Sequence, residues 1–112
     1  MDLILRYDSY GVYPFEKLKP LLTEILKTVI ADGKGIELNT SSRAYHLKSL
    51  MPSREILELY HDMGGKIITI GSDGHCPKHM AYDFYKLPDF LSNLGIRYYT
   101  VFRDKKPEFI KL

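Results

Sequence analysis

One stretch constrains the chain more than any other: Lys66-Ile-Ile-Thr-Ile-Gly-Ser-Asp-Gly-His75. The run Ile67 to Ile70 is entirely β-branched. Such side chains are stiff at χ1 and pack well on a pleated surface, so the run demands extended backbone. Gly71 ends it, and a serine, a carboxylate and an imidazole arrive where a strand stops. Side chains two apart on an extended chain share a face, which aims Asp73 and His75 at one point if the strand geometry persists that far. In a sheet of parallel strands, ligands and catalytic groups collect at the carboxyl ends, where the loops open. A carboxylate beside an imidazole suits zinc, manganese or iron. The same residues also read as a turn, because Ser72, Asp73 and Gly74 are ordinary turn formers and a serine or aspartate often caps a following helix.

The segments on either side alternate in type. Leu3 to Arg6 is a short apolar run that reads as a buried strand, followed by a loop from Tyr7 to Pro14. From Phe15 the apolar residues Leu18, Leu21, Leu22, Ile25, Leu26, Val29 and Ile30 recur at helical steps as one stripe. Pro20 marks a first turn or a kink, and Gly33 is a left-handed cap. Ile36 to Asn39 is the second strand, with Glu37 and Asn39 on one face, and Thr40 to Arg43 is a polar loop at its carboxyl end. Met51-Pro-Ser53 introduces a shorter helix with the stripe Ile56, Leu59, Tyr60, Met63, closed by Gly64-Gly65. Pro77 to Tyr85 is irregular, and Pro88 opens a third helix running to Gly95. Arg97 to Arg103 is a fourth strand, Asp104 to Pro107 turns the chain, and Phe109-Ile110 is a short return segment. Strands alternating with helices at this spacing predict an α/β fold of four parallel strands with right-handed crossovers, either a small open sheet or half of a closed barrel. A half barrel would leave two edges and one interior wall uncovered.

A chain of 112 residues is read as one domain, 1–112. A net charge of +2, with Lys and Arg scattered, gives no case for nucleic acid. The single Cys76 rules out an internal disulfide and fits a reducing compartment. No apolar run approaches a membrane span, and Asp2 and Arg6 spoil a signal peptide, so the expected location is cytoplasmic with no membrane partner.

Four segments together carry a resemblance: Asp2 to Tyr7, Gly35 to Ser41, Gly65 to His75 and Phe102 to Phe109. They resemble the C-terminal half of the histidinol-phosphatase branch of the polymerase and histidinol phosphatase (PHP) superfamily, with Ser-Asp-x-His at Ser72 to His75 the sharpest piece. The resemblance implies part of a distorted seven-stranded (β/α) barrel with two or three divalent metal ions (zinc, manganese or iron) at the strands' carboxyl ends. It implies metal-assisted hydrolysis of a phosphate monoester, L-histidinol phosphate in the type case, in histidine biosynthesis. Asp73 and His75 match the last pair of metal ligands. Arg6 and Arg43 fall where the family places arginines that hold the substrate phosphate, a task suited to a bidentate guanidinium. The family's amino-terminal His-x-His pair, a later glutamate and further histidines have no counterpart here, and the position of a ligand histidine falls just ahead of Met1. The chain therefore reads as a fragment, a misassigned start or one part of a split gene, incomplete as an enzyme by itself, its partner a missing N-terminal half or a second copy.

The remaining candidates are weaker. His79 lies four after His75, but Pro77 opposes a regular helix there, and a surface histidine is the simpler reading. His46 and His61 lack partners at useful spacing. Cys76 reads as a small packed thiol, and Glu37 stands either near the metal site or against a helix. Two rival classes stay open. One is a folded remnant without chemistry that self-associates through its uncovered edges. The other is an open α/β binding module of flavodoxin or receiver type, which would want a glycine-rich phosphate loop or an acidic pocket that the sequence lacks.

Overall fold

Three helices in this chain end in the same way. The computed structural model describes residues 13–44, 46–47 and 49–112. Helix α1 (Phe15–Ala31), helix α3 (Arg54–Asp62) and helix α4 (Leu87–Ser92) are each followed by a glycine of positive φ, Gly33 at 64°, Gly64 at 87° and Gly95 at 78°. Each glycine N–H returns three residues and the next N–H returns five: Gly33 to Ile30 and Lys34 to Val29, Gly64 to His61 and Gly65 to Tyr60, Gly95 to Ser92 and Ile96 to Leu91. These are Schellman caps, in which only glycine enters the left-handed region without a Cβ penalty. Each cap reverses the chain into extended backbone, so three strands start from one end of the molecule.

Strand β1 (Ile36–Asn39) and strand β2 (Ile68–Gly71) pair in parallel, with Ile36 opposite Ile68 and Asn39 opposite Gly71. The crossover between them carries the one-turn helix α2 (Ser41–Ala44) and α3. Strand β3 (Tyr98–Arg103) pairs instead with strand β4 (Lys106–Lys111), and that pair is antiparallel. Of the four parallel strands expected, two are paired in parallel, and the return segment expected after Asp104 pairs with Arg97–Arg103. Among the described residues the parallel sheet has two strands, and Arg97–Arg103 enters a hairpin. The reason is local: Asp104 and Lys105 both have positive φ, 49° and 64°, as a two-residue turn of the mirror-image type requires, and such a turn joins only antiparallel neighbours. The hairpin still lies beside β2, where the Ile68 N–H donates to the buried Thr100 hydroxyl at 3.3 Å. The strand expected at Leu3 to Arg6 lies outside the described residues.

The core sits between the parallel pair and its helices. Leu22 and Leu26 of α1, Ile56, Leu57 and Tyr60 of α3, Leu87 and Leu91 of α4, and Leu38 and Ile68 of the strands are all buried. Tyr60 has two tasks. Its hydroxyl donates to the Ile67 carbonyl at 3.0 Å and accepts the Ile67 N–H at 3.2 Å, and its ring fills the place a side chain at Gly65 would need. A Cβ at Gly35 would likewise fall 2.1 Å from the Ile67 carbonyl oxygen, so both strands enter the sheet past a glycine. Helix α1 runs through Pro20, while Leu21 and Ile25 on its outer face are exposed.

Tyr60→Phe orphans the Ile67 N–H and leaves the Ile67 carbonyl with the Ile36 N–H alone, and is expected to cost about 1–3 kcal/mol in urea unfolding. Burial holds the Tyr60 phenol above its ordinary value of 10.0, against the smaller opposing effect of its backbone hydrogen bonds. The folded state therefore keeps a proton that the unfolded chain releases. This contribution to stability is complete below about pH 10 and is lost as pH rises through the folded value. Unfolding free energies measured from pH 9 upward are expected to fall in the native chain and to fall less steeply in Tyr60→Phe.

Candidate functional site

The parallel register brings the last residues of β1 and β2 to one mouth. Thr40 N–H donates to the Gly71 carbonyl at 2.9 Å, extending the ladder one step beyond the strands. Asn39 organises the β1 side: its amide nitrogen donates to Glu37 Oε1 at 3.0 Å and its amide oxygen accepts the Ser41 N–H at 2.8 Å. The second bond makes an Asx turn, which explains why the polar stretch expected as a loop at Thr40–Arg43 winds into α2 instead. Thr40, Ser41 and Ser42 are buried there, and Ser41 Oγ and Ser42 Oγ have no hydrogen-bond partner among the described residues.

On the β2 side the strand stops at Gly71, and the lack of a side chain matters. A Cβ on Gly71 would lie 2.9 Å from the Glu37 carboxylate, so the glycine lets that carboxylate lie across the strand end. Asp73 follows with φ of 45°, in the left-handed region. Extended geometry does not persist to His75, as the alternation argument had required. The turn nevertheless brings the pair together: His75 Nε2 lies 3.3 Å from Asp73 Oδ1, with the side chains 76% and 48% exposed. The separation is longer than a good charge-assisted hydrogen bond. It is close to the roughly 3.3–3.4 Å between two tetrahedral donors each about 2.0–2.1 Å from one zinc ion. The loop beyond is closed by Ser72 Oγ, which accepts the Ala81 N–H at 3.1 Å, while Gly74 lies so near the His79–Met80 backbone that a Cβ would come within 3.0 Å of it.

Arg43 stands on α2 with its Nε 3.7 Å from Asp83 Oδ2. Asp83 is largely buried, has φ of 59° and is also gripped by Lys86 at 3.1 Å. That hydrogen bond holds the Lys86 ammonium above its ordinary value. Arg6 lies outside the described residues. His79 ends a 3-10 turn (Pro77–His79) and packs edge-on to Tyr82 at 6.1 Å, His46 is exposed, and Cys76 is partly buried in extended backbone. Among the described residues no three groups of His, Cys, Asp or Glu are placed to hold a metal ion. The pair Asp73–His75 presents two groups of the kinds that ligate metals, fewer than the three or four protein ligands of a zinc site. Sequence reasoning missed Asn39 as the organiser of the β1 end and Asp83 as the partner of Arg43. Asn39 could have been found from its shared face with Glu37, whereas Asp83 sits in an irregular stretch without periodicity.

Over most of its length this chain is similar to histidinol-phosphatases. It is 30% identical over 92 residues to a probable histidinol-phosphatase of Thermotoga maritima, covering 82% of this chain and 39% of that protein. It is 28% identical over 110 residues to a probable histidinol-phosphatase of Clostridium acetobutylicum, covering 95% of this chain and 41% of the relative. A histidinol-phosphatase of Lactococcus lactis is 27% identical over 109 residues, with 95% and 40% covered. The chain thus spans about two fifths of the length of the curated relatives it matches. No family model matches the sequence.

If the pair forms a cation site, zinc titrated into the chain is expected to shift the ring nitrogens of His75 before those of His46, His61 and His79 in an imidazole-selective nitrogen NMR spectrum. Asp73→Ala is expected to erase that order. Simultaneous shifts of all four rings in the native chain would show that the pair has no preference for the metal.

Proposed function

We propose that this chain is part of a metal-dependent phosphomonoester hydrolase of the histidinol-phosphatase kind, acting on L-histidinol phosphate in histidine biosynthesis. The observation that carries the reading is the convergence of Asp73 and His75 at the mouth of a parallel strand pair. The similarity to histidinol-phosphatases over 82–95% of the chain supports it. Asp73 and His75 hold one divalent ion of the PHP type, zinc, manganese or iron, and the other donors come from sequence outside this chain. Such an ion, when bound, activates water toward phosphorus and offsets charge on the phosphoryl oxygens. Arg43 aims its guanidinium at the phosphate from α2, and Asp83 keeps it at the mouth in the absence of substrate. Arg6 fills the second phosphate-binding role. The substrate is a small phosphate ester, and neither nucleic acid nor membrane takes part. Among the described residues no helix is long and apolar enough to cross a bilayer. The single cysteine supports a cytoplasmic location.

A second reading, a fragment without chemistry that self-associates, draws on the exposed Leu21 and Ile25 of α1 and Phe102 of the hairpin. The two separate in one experiment. The chain is mixed with the portion of the Thermotoga relative that it does not match, together with manganese and L-histidinol phosphate, and inorganic phosphate is followed. Release is expected only with both parts present. Asp73→Ala or His75→Ala should lower it by at least about 100-fold, the upper end of what loss of an outer-shell partner costs. Activity insensitive to both substitutions would exclude the proposed site. No release, with a concentration-dependent dimer in sedimentation, would favour the second reading.

A further inference from the structure

The opposite end of the same strands carries a different kind of surface. The three capped turns each hand the chain on to a basic residue as it enters a strand: Lys34 ahead of β1, Lys66 ahead of β2 and Arg97 ahead of β3. Between the second and third of these turns lies a cavity of about 470 Å³. Its floor includes Gly64 and Gly95, where the backbone is bare, and its walls include Ile96, Tyr98 and Phe109. Phe109, Gly64, Gly65 and Lys66 also line a smaller cavity of about 210 Å³ that reaches Lys34. Lys66 lines both, Arg97 and His61 stand at the larger one, and among the described residues no Asp or Glu lines either. Among the described residues the only acidic group within ion-pair distance of these side chains is Asp62, 3.8 Å from His61 Nδ1. Among the described residues Lys66, Arg97 and Lys34 have no ion-pair partner.

Basic residues after a helix also offset the negative end of its dipole. That role needs no cavity, no aromatic wall and no bare glycine floor. A volume of this size suits a small molecule rather than a solvated lysine tip. We propose that the larger cavity binds a small amphipathic organic anion, an aromatic or branched apolar body carrying one acidic head. The body lies between Phe109, Tyr98 and Ile96, and the head is held by Lys66 and Arg97. The occupant follows from charge complementarity: among the described residues Lys66 and Arg97 have no counter-charge, so an apolar ligand without an anion would leave them uncompensated. The site lies four strand residues, roughly 13 Å, from the Asp73–His75 mouth, and it stands or falls independently of the phosphatase reading.

The test uses the unmodified chain and the fluorescent anion 8-anilinonaphthalene-1-sulfonate, with competitors 3-phenylpropionate and its neutral amide. Saturable binding is expected, with amide NMR shifts confined to Gly64–Lys66, Gly95–Tyr98 and Phe109. Displacement by the acid and not by the amide is also expected. The double variant Lys66→Gln with Arg97→Gln should weaken binding by roughly tenfold or more. Both side chains are exposed, so the variant should melt with the native chain. If it does not, the shift map and the acid–amide comparison decide on the native protein. Shifts centred on Leu21 and Ile25, equal displacement by acid and amide, or undiminished binding to a folded double variant would overturn the proposal.

Discussion

Two four-residue strands cannot hold a parallel sheet by their own hydrogen bonds, and what makes this pair persist is the clamp that Tyr60 places on Ile67. The phenol bonds both polar groups of the residue that leads into β2. It is fixed in turn by the core face of α3 and by the bare Gly65 against its ring. Gly35 then lets β1 approach the Ile67 carbonyl, whose oxygen accepts the Ile36 N–H at 3.1 Å. Register follows from these contacts, and with it the alignment of Asn39 with Gly71. A slip of one residue would turn Leu38 out of the core and carry Glu37 away from Gly71.

Once the register is set, the two ends of the strands acquire opposite chemistry for structural reasons. The carboxyl end receives polar residues, because Asn39 and Ser72 bend the backbone by accepting N–H groups, and the carboxylates and imidazole follow on those bends. The amino end receives three helix termini. Each needs a glycine to reverse the chain and a basic residue suits each helix end, so a cationic rim forms around an apolar gap. Asp83 shows how the carboxyl end is kept in order: one largely buried carboxylate, held locally by Lys86, ties the segment after β2 to α2 through Arg43.

Much of this was legible in the sequence, where local physics decides. The stripes of α1 and α3, their glycine stops and the strands at Ile36 and Ile68 all follow from periodicity and from residues that only one conformation suits. The hairpin was half legible. The turn at Asp104 and a return segment at Phe109 could be read, but alternation with helices argued for parallel pairing of Arg97–Arg103. The positive φ of Asp104 and Lys105 fixes that return as a two-residue antiparallel hairpin, while β3 meets β2 through the Ile68–Thr100 bond and not through a ladder. At the site, the approach of Asp73 to His75 was anticipated for a reason the backbone does not follow, since a left-handed Asp73 and not a continuing strand joins them. The winding of Thr40–Arg43 depends on one Asn39 side chain, and Arg43 and Asp83 meet from segments far apart in the chain, so neither leaves a pattern in the sequence.

Under the proposed function the Asp73–His75 pair is part of a metal-binding mouth. Anomalous diffraction at the zinc edge from crystals of the chain grown with zinc tests it most directly. The account predicts an anomalous peak about 2.0–2.2 Å from both a carboxylate oxygen of Asp73 and Nε2 of His75. Zinc bound at His46, His61 or His79 with the Asp73–His75 mouth empty would contradict it.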